Sequence, residues 1–191
     1  MSYDTTCRYF EKAGQENTRE VMEAASQRAK HLGISTILVA TCSGKTAMEA
    51  INCMAPDMEI IAVTHYTGFV RPNHQEMAEE MRRTLESKGV RVLTCQHAFG
   101  GVGRGIRRCL KTYQIDEIMA YTLRMFGQGT KVAIELALMA ADAGLVRTDK
   151  DIISIGGTAR GADTALLLRP ANSSEVFNLK VKEIICKPAT W

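Results

Sequence analysis

Hydrophobic and polar positions alternate between two periods along this chain. Val21, Ala24, Ala25 and Leu32 recur at the three-to-four-residue spacing of a helix over 17–32, and Gly33 stops the pattern. Asn17 followed by Glu20 fits a capping box at its start. The run Thr36, Ile37, Leu38, Val39, Ala40 is short, apolar and β-branched, which predicts a buried strand. A second helix follows through Met54 and ends before Pro56, and Ile60 to Thr64 form the next strand. Met77, Met81 and Leu85 share one face of a helix over 74–88, closed by Gly89, and 90–95 reads as a third strand. A helix is expected over 100–113, a fourth strand over 117–120, and a helix over 131–143 that is apolar nearly all round and therefore deeply buried. Beyond Gly144 the pattern changes. Two apolar runs, 151–155 and 164–168, have no helix between them and should pair antiparallel, and the tail over 176–186 holds one more strand.

Strand and helix thus alternate four times with short connections, the signature of an open, mostly parallel α/β sheet with right-handed crossovers. No repeat, low-complexity run or linker divides the chain, so residues 1–191 read as a single domain. Composition changes this little: 46% hydrophobic and 24% charged residues suit a globular protein with a real core. Lys+Arg 24 against Asp+Glu 21 leaves +3, which announces neither a nucleic-acid partner nor a membrane. The start is charged, and no stretch reaches the about 18 apolar residues of a membrane span, so a cytoplasmic protein is expected. The six cysteines show no C-x-x-C spacing and read as reduced thiols, with no metal site.

In such a sheet ligands bind beyond the carboxyl ends of the strands. Four loops rich in small and polar residues are expected there. The first holds Thr41, Ser43, Gly44, Lys45 and Thr46. It resembles the end of a Walker A motif but has Val39 where the first glycine is required, so it suits a single phosphate at a helix start, or merely a capped helix. The second holds Thr64, His65, Gly68 and Phe69, with His65 the best placed of the histidines. The third runs from Arg124 through Phe126, Gly127, Gln128, Gly129, Thr130 and Lys131. The fourth has Gly156, Gly157, Thr158, Gly161, Ala162, Asp163 and Thr164, with more glycine than a simple hairpin needs, and its Arg160 and Asp163 could contact a ligand or one another. The glycines around Gly103 fail the dinucleotide spacing, and Arg104, Arg107, Arg108 and Lys111 read as a solvated basic face. Glu135 on the buried helix fits an ion pair as well as catalysis. Spacing alone yields no Cys-His, Ser-His-Asp or paired-carboxylate constellation, so the catalytic residues are unassigned.

The segment from Ile37 to Ala47, then Ala55-Pro56 and Ile60 to Thr64, resembles the C-terminal domain of pyruvate kinase. In that domain a Thr-x-Ser-Gly loop grips a phosphate of the sugar effector, which corresponds to Thr41, Ser43, Gly44, Lys45 and Thr46. The ordered motifs Glu16-Asn17-Thr18, Thr64 to Phe69, Leu123 to Val132, Met139 to Gly144, Gly156 to Ala165 and Lys182 to Pro188 further resemble small stand-alone archaeal and bacterial proteins of pyruvate-kinase-C-terminal-domain-like type. The resemblance implies a three-layer α/β/α fold, with a mixed, mostly parallel sheet of order 3-2-1-4-5 and the last core strand antiparallel. It also implies FMN as ligand, with flavin-dependent redox chemistry as the reaction it would support. The alternative is a regulatory module that binds another phosphorylated metabolite without catalysis. The catalytic barrel of pyruvate kinase is missing, so phosphoenolpyruvate chemistry is not inherited. An exposed last strand and the C-terminal extension would suit a symmetric homo-oligomer.

Overall fold

The computed structural model describes residues 2–191. Seven strands form one sheet: β1 (Arg8–Phe10), β2 (Thr36–Ala40), β3 (Glu59–Thr64), β4 (Arg91–Thr94), β5 (Ile152–Gly156), β6 (Thr164–Arg169) and β7 (Lys180–Pro188). Their spatial order is β1-β7-β6-β5-β2-β3-β4. Pairings among β2, β3, β4 and β5 are parallel, whereas β6 runs antiparallel to both β5 and β7. Counting β2 to β6 alone gives the expected order 3-2-1-4-5 with the last strand reversed.

Alternation along the strands builds two cores. Ile37 and Val39 of β2, Ile153 and Ile155 of β5, and Ala165 and Leu167 of β6 face one layer. That layer is formed by α1 (Thr18–Leu32), α2 (Lys45–Cys53) and α3 (Glu79–Ser87). Leu38, Ile152, Leu166 and Leu168 face the other, which is built on α6 (Gln128–Asp142). Strands buried on both faces lose the polar alternation of a surface sheet, which is why they read as continuous apolar runs. Two further helices, α4 (Gly101–Leu110) and α5 (Ile115–Arg124), complete the second layer, with α5 packed on α6. Enclosure between sheet and α5 explains why α6 is apolar nearly all round.

Four expectations are corrected. Residues 117–120 are not a strand but the middle of α5. Four residues cannot distinguish the two periods, whereas over ten the inward positions Glu117 and Ala120 lie three apart, with acidic Asp116 and Glu117 in the first turn as a helix start favours. The helix expected from residue 74 begins at Glu79, because Gln75 and Glu76 are drawn back to His65 and the Gln75 Oε1 accepts the Met77 amide (3.1 Å). Asn17 forms no capping box; its Nδ2 donates to the Lys12 carbonyl (2.8 Å). The last strand β7 is an open edge only in part, since β1 pairs in parallel with Cys186 to Pro188 and leaves Lys180 to Ile185 without a strand partner on that side. Among the described residues no helix is long and apolar enough to cross a membrane.

The α5 assignment separates two neighbouring positions that a strand would place on one face. Ile118 is 54% exposed and Ala120 2% exposed. Ile118→Asn should change unfolding free energy by no more than about 0.5 kcal/mol, whereas Ala120→Asn buries an amide and should cost about 1–3 kcal/mol in urea denaturation. Equal effects would return the segment to a strand.

Candidate functional site

The segments leaving β2, β3 and β5 emerge at one edge because these three strands are parallel neighbours. From β2 the chain moves to β3 on one side and reaches β5 on the other only later, so the β2/β5 boundary is the switch point where such sheets accommodate ligands. The third glycine loop follows α5 rather than a strand. It reaches the same edge because a side chain at Gly129 would overlap Thr164 and one at Gly156 would overlap the Gly129 carbonyl.

The loop 41–46 is a tight turn. Thr41 is pinned to the sheet through its amide to the Val63 carbonyl (2.9 Å), and its Oγ1 accepts the Gly44 amide (3.1 Å). Gly44 has φ +90° and stands directly before α2, so no side chain caps the leading amides of that helix, and its first turn holds no acidic residue. Ser43 and Lys45 are exposed and Thr46 half-buried. Gly44 itself is covered by Met81 of α3, whose side chain would collide with any Cβ there. The glycine therefore serves helix packing, and the groups left open to a ligand are those of Ser43, Lys45 and Thr46.

Beside this turn lies a cluster that sequence spacing did not show. His65 Nδ1 meets the Glu76 carboxylate at 2.6 Å, and its Nε2 lies 3.5 Å from the Cys42 sulfur. The Gln75 side chain donates to the His65 carbonyl (3.0 Å), and Phe69 stacks on the ring at 3.9 Å. His97 and Tyr66 close the aromatic group at 5.2–5.5 Å from these rings, with the Arg104 guanidinium over Phe69. Thr64 instead bonds across the sheet to Thr94 Oγ1 (2.7 Å), and Gly68 closes the turn onto the His74 carbonyl (2.9 Å). The parallel pairing of β2 with β3 sets Cys42 beside His65, and the loop before α3 turns Glu76 back onto the ring. Burial pushes the Cys42 thiol up to about 11, with Glu76 adding to the rise and Arg160 opposing it.

The remaining two segments are held by contacts of their own, and the expected loop 124–131 is mostly helical, Arg124 ending α5 and Gln128 to Lys131 forming the first turn of α6. Lys131 is buried and paired with Glu135, whose other oxygen accepts the Phe99 amide (2.8 Å). Burial lowers the Lys131 pKa while Glu135 resists the fall. Thr130 Oγ1 donates to the Phe126 carbonyl (3.1 Å), and Arg124 Nε to Gln128 (2.7 Å). Gly127, at φ +119°, starts α6. In the fourth loop Gly157 packs on Gly161, Gly161 packs on Gln15 and Thr18, and the Ala162 amide donates to Thr18 Oγ1 (3.0 Å). Asp163 is fully buried. It accepts from Thr164 Oγ1 (2.8 Å) rather than from exposed Arg160, and its Oδ2 has no partner, as is true of the Thr158 hydroxyl. The basic helix is only partly a solvated face. Arg107 pairs with buried Glu117 (2.6 Å), and Arg104, Arg107, Arg108 and Arg124 line a concavity between α4 and α5.

Two outcomes follow. Gly44→Ala should lower unfolding free energy by about 1–3 kcal/mol, through the left-handed backbone and the clash with Met81, read as a lower urea midpoint. His97 is pushed down to about 4, first by burial, against the pull of Glu135 and with the charges of His65, Lys131 and Arg104. The unfolded chain takes up this proton near 6.5 while the folded one refuses it, so stability is full above pH 6.5 and falls as the pH drops towards 4. The loss attributable to His97 should approach about 3 kcal/mol and disappear in His97→Gln, measured by urea unfolding at stepped pH.

The chain matches the family described as "Pyruvate kinase, alpha/beta domain" over residues 19–168. Among solved structures it is similar to a pyruvate kinase of Cryptosporidium parvum in complex with ADP, at 16% identity and a TM-score of 0.43, covering 81% of this chain and 24% of that one. A second pyruvate kinase structure from Cryptosporidium parvum gives 16% identity and a TM-score of 0.43, with 81% and 23% covered. The chain thus spans about a quarter of the length of those enzymes. With a match that runs from the first helix to the antiparallel strand, the chain belongs to the pyruvate kinase alpha/beta domain family.

Proposed function

We propose that the chain binds a phosphorylated small molecule, FMN foremost, at the edge where β2, β3 and β5 end. The observation that carries this reading is the uncapped, acid-free start of α2, with Ser43, Lys45 and Thr46 open beside the rings of His65, Tyr66, Phe69 and His97. An amide-rich helix start favours an anion, and aromatic faces favour a planar ring. The donor set fits FMN in both respects. Ser43 and Thr46 would donate hydroxyl hydrogens to the phosphate and Lys45 would add a charge. His65 and Phe69 would border the ring, and Gly156, Gly157 and Thr158 would border the ribityl chain. The unpartnered hydroxyl of Thr158 and the Asp163 oxygen are groups in reserve on that side. When bound, flavin supplies its own redox chemistry, so this chain's residues need only bind, orient and shield it. Phosphoryl transfer is no part of the reading, because the catalytic barrel of the whole kinase lies outside the matched domain.

Fluorescence titration with FMN and with riboflavin, which lacks the phosphate, tests this. FMN should bind much the tighter. Ser43→Ala or Thr46→Ala should weaken FMN about tenfold to a hundredfold, as expected for a lost hydrogen bond to a charged group, and leave riboflavin unchanged. Equal affinity for the two compounds would place the anchor elsewhere. Binding of another phosphorylated metabolite in preference to FMN, with the same Ser43 and Thr46 dependence, would favour the regulatory module.

A further inference from the structure

Cys42, His65 and Glu76 have no part in holding a phosphate, yet they stand in line. Glu76 accepts from the His65 Nδ1–H at 2.6 Å, and this fixes the tautomer. In the neutral imidazole Nε2 then carries the lone pair that faces the Cys42 sulfur at 3.5 Å, and the thiol can donate to it. Gln75, on the same loop as Glu76, holds the His65 backbone, and Phe69 holds the ring face. The His65 and Glu76 side chains are 29% and 27% exposed and Cys42 is half-buried, so a small molecule can reach them. The three are also the one grouping of potential metal ligands among the described residues. A single ion, however, would take only one ring nitrogen. Sulfur and carboxylate sit on opposite nitrogens, which suits a proton relay better than a shared metal.

We propose that Cys42, His65 and Glu76 form a thiol–imidazole–carboxylate relay that makes Cys42 a nucleophile towards the carbonyl carbon of activated acyl compounds. This goes beyond the phosphate site and does not depend on FMN. The resting thiol is protonated, so the proton leaves during attack rather than before it. Sγ bonds to the carbonyl carbon, its proton passes to His65 Nε2, and the carbon–oxygen bond to the leaving group breaks. The imidazolium returns its proton to the departing oxygen. Water then adds to the thioester with His65 as base, releasing the carboxylic acid and restoring the thiol. No electrons are exchanged with any other reactant. Glu76 is the positioning residue; it keeps the imidazole in the tautomer that accepts from sulfur and offsets its positive charge.

The probe is p-nitrophenyl acetate, followed by nitrophenol release and by peptide mapping of the acetylated thiol, since all six cysteines are free and Cys109 is exposed. Wild type should acetylate at Cys42 ahead of Cys109. Cys42→Ala should lose the initial burst. His65→Ala should slow acetylation about 10²–10⁴-fold and recover with added imidazole. The pH profile distinguishes a relay from mere packing. With His65 as base the rate levels off well below the thiol's own ionisation near 11. In His65→Ala it should climb about tenfold per pH unit towards that region, because only thiolate then reacts. Glu76→Gln should slow the wild-type plateau and serves as the second variant if His65→Ala does not fold. Acetylation that favours Cys109, or a Cys42 rate and pH profile unchanged in both His65→Ala and Glu76→Gln, would overturn the proposal.

Discussion

The structure depends on the parallel placement of β2 between β3 and β5. Ile37, Leu38 and Val39 are fully buried, and they alternate between the α1/α2 layer and the α6 layer. A slip of one residue would exchange the two faces of this strand and bury neither correctly. The same pairing aligns Ala40 with Val63, so the residues immediately beyond, Thr41 to Gly44 and Thr64 to His65, leave the sheet side by side. Every candidate function at this edge is therefore a consequence of register at the centre of the sheet.

A buried ion pair performs a comparable task on the other face. Lys131 and Glu135 lie one turn apart on α6 with almost no exposure, and removing charges of this kind from water costs more than their attraction returns unless further bonds are made. The Phe99 amide supplies one such bond. It ties the segment beyond β4 to α6, and so holds His97 against His65 and Tyr66. The pair is best understood as fixing a loop in place rather than as a source of net stability.

Much of the fold was legible because both faces of the core strands are covered, and continuous apolar runs such as 36–40 and 60–64 leave little choice. Legibility failed where local pattern is short or contested. Residues 117–120 fit both periods until Ile115, Ile118 and Tyr121 are seen to point outward together. The three-residue strand β1 has no pattern of its own and exists because β7 offers it a partner. Of the site, the four loops could be found from their small and polar residues, but the role of their glycines could not. Gly44, Gly129 and Gly156 stand where another element approaches too closely for a side chain, a fact of packing that composition does not encode. In the Cys42–His65–Glu76 cluster only His65 stood out in the sequence, by its place after a strand; the grouping had no signal, since its members lie 23 and 11 positions apart.

These packing facts narrow what the edge can do chemically. Because Thr41 and Gly44 are consumed in making the turn, the side chains left open just beyond Cys42 are those of Ser43, Lys45 and Thr46, on which the proposed phosphate site depends. Because Glu76 escapes α3, a carboxylate reaches the imidazole that a longer helix would have carried away. Burial then sets the resting protonation: the thiol and His97 both stay neutral near pH 7, one held up and the other held down by the same loss of water. With Cys42 and His97 neutral, the nearby cations Lys45, Arg104 and Arg160 can attract an anion without a thiolate in the site to oppose it.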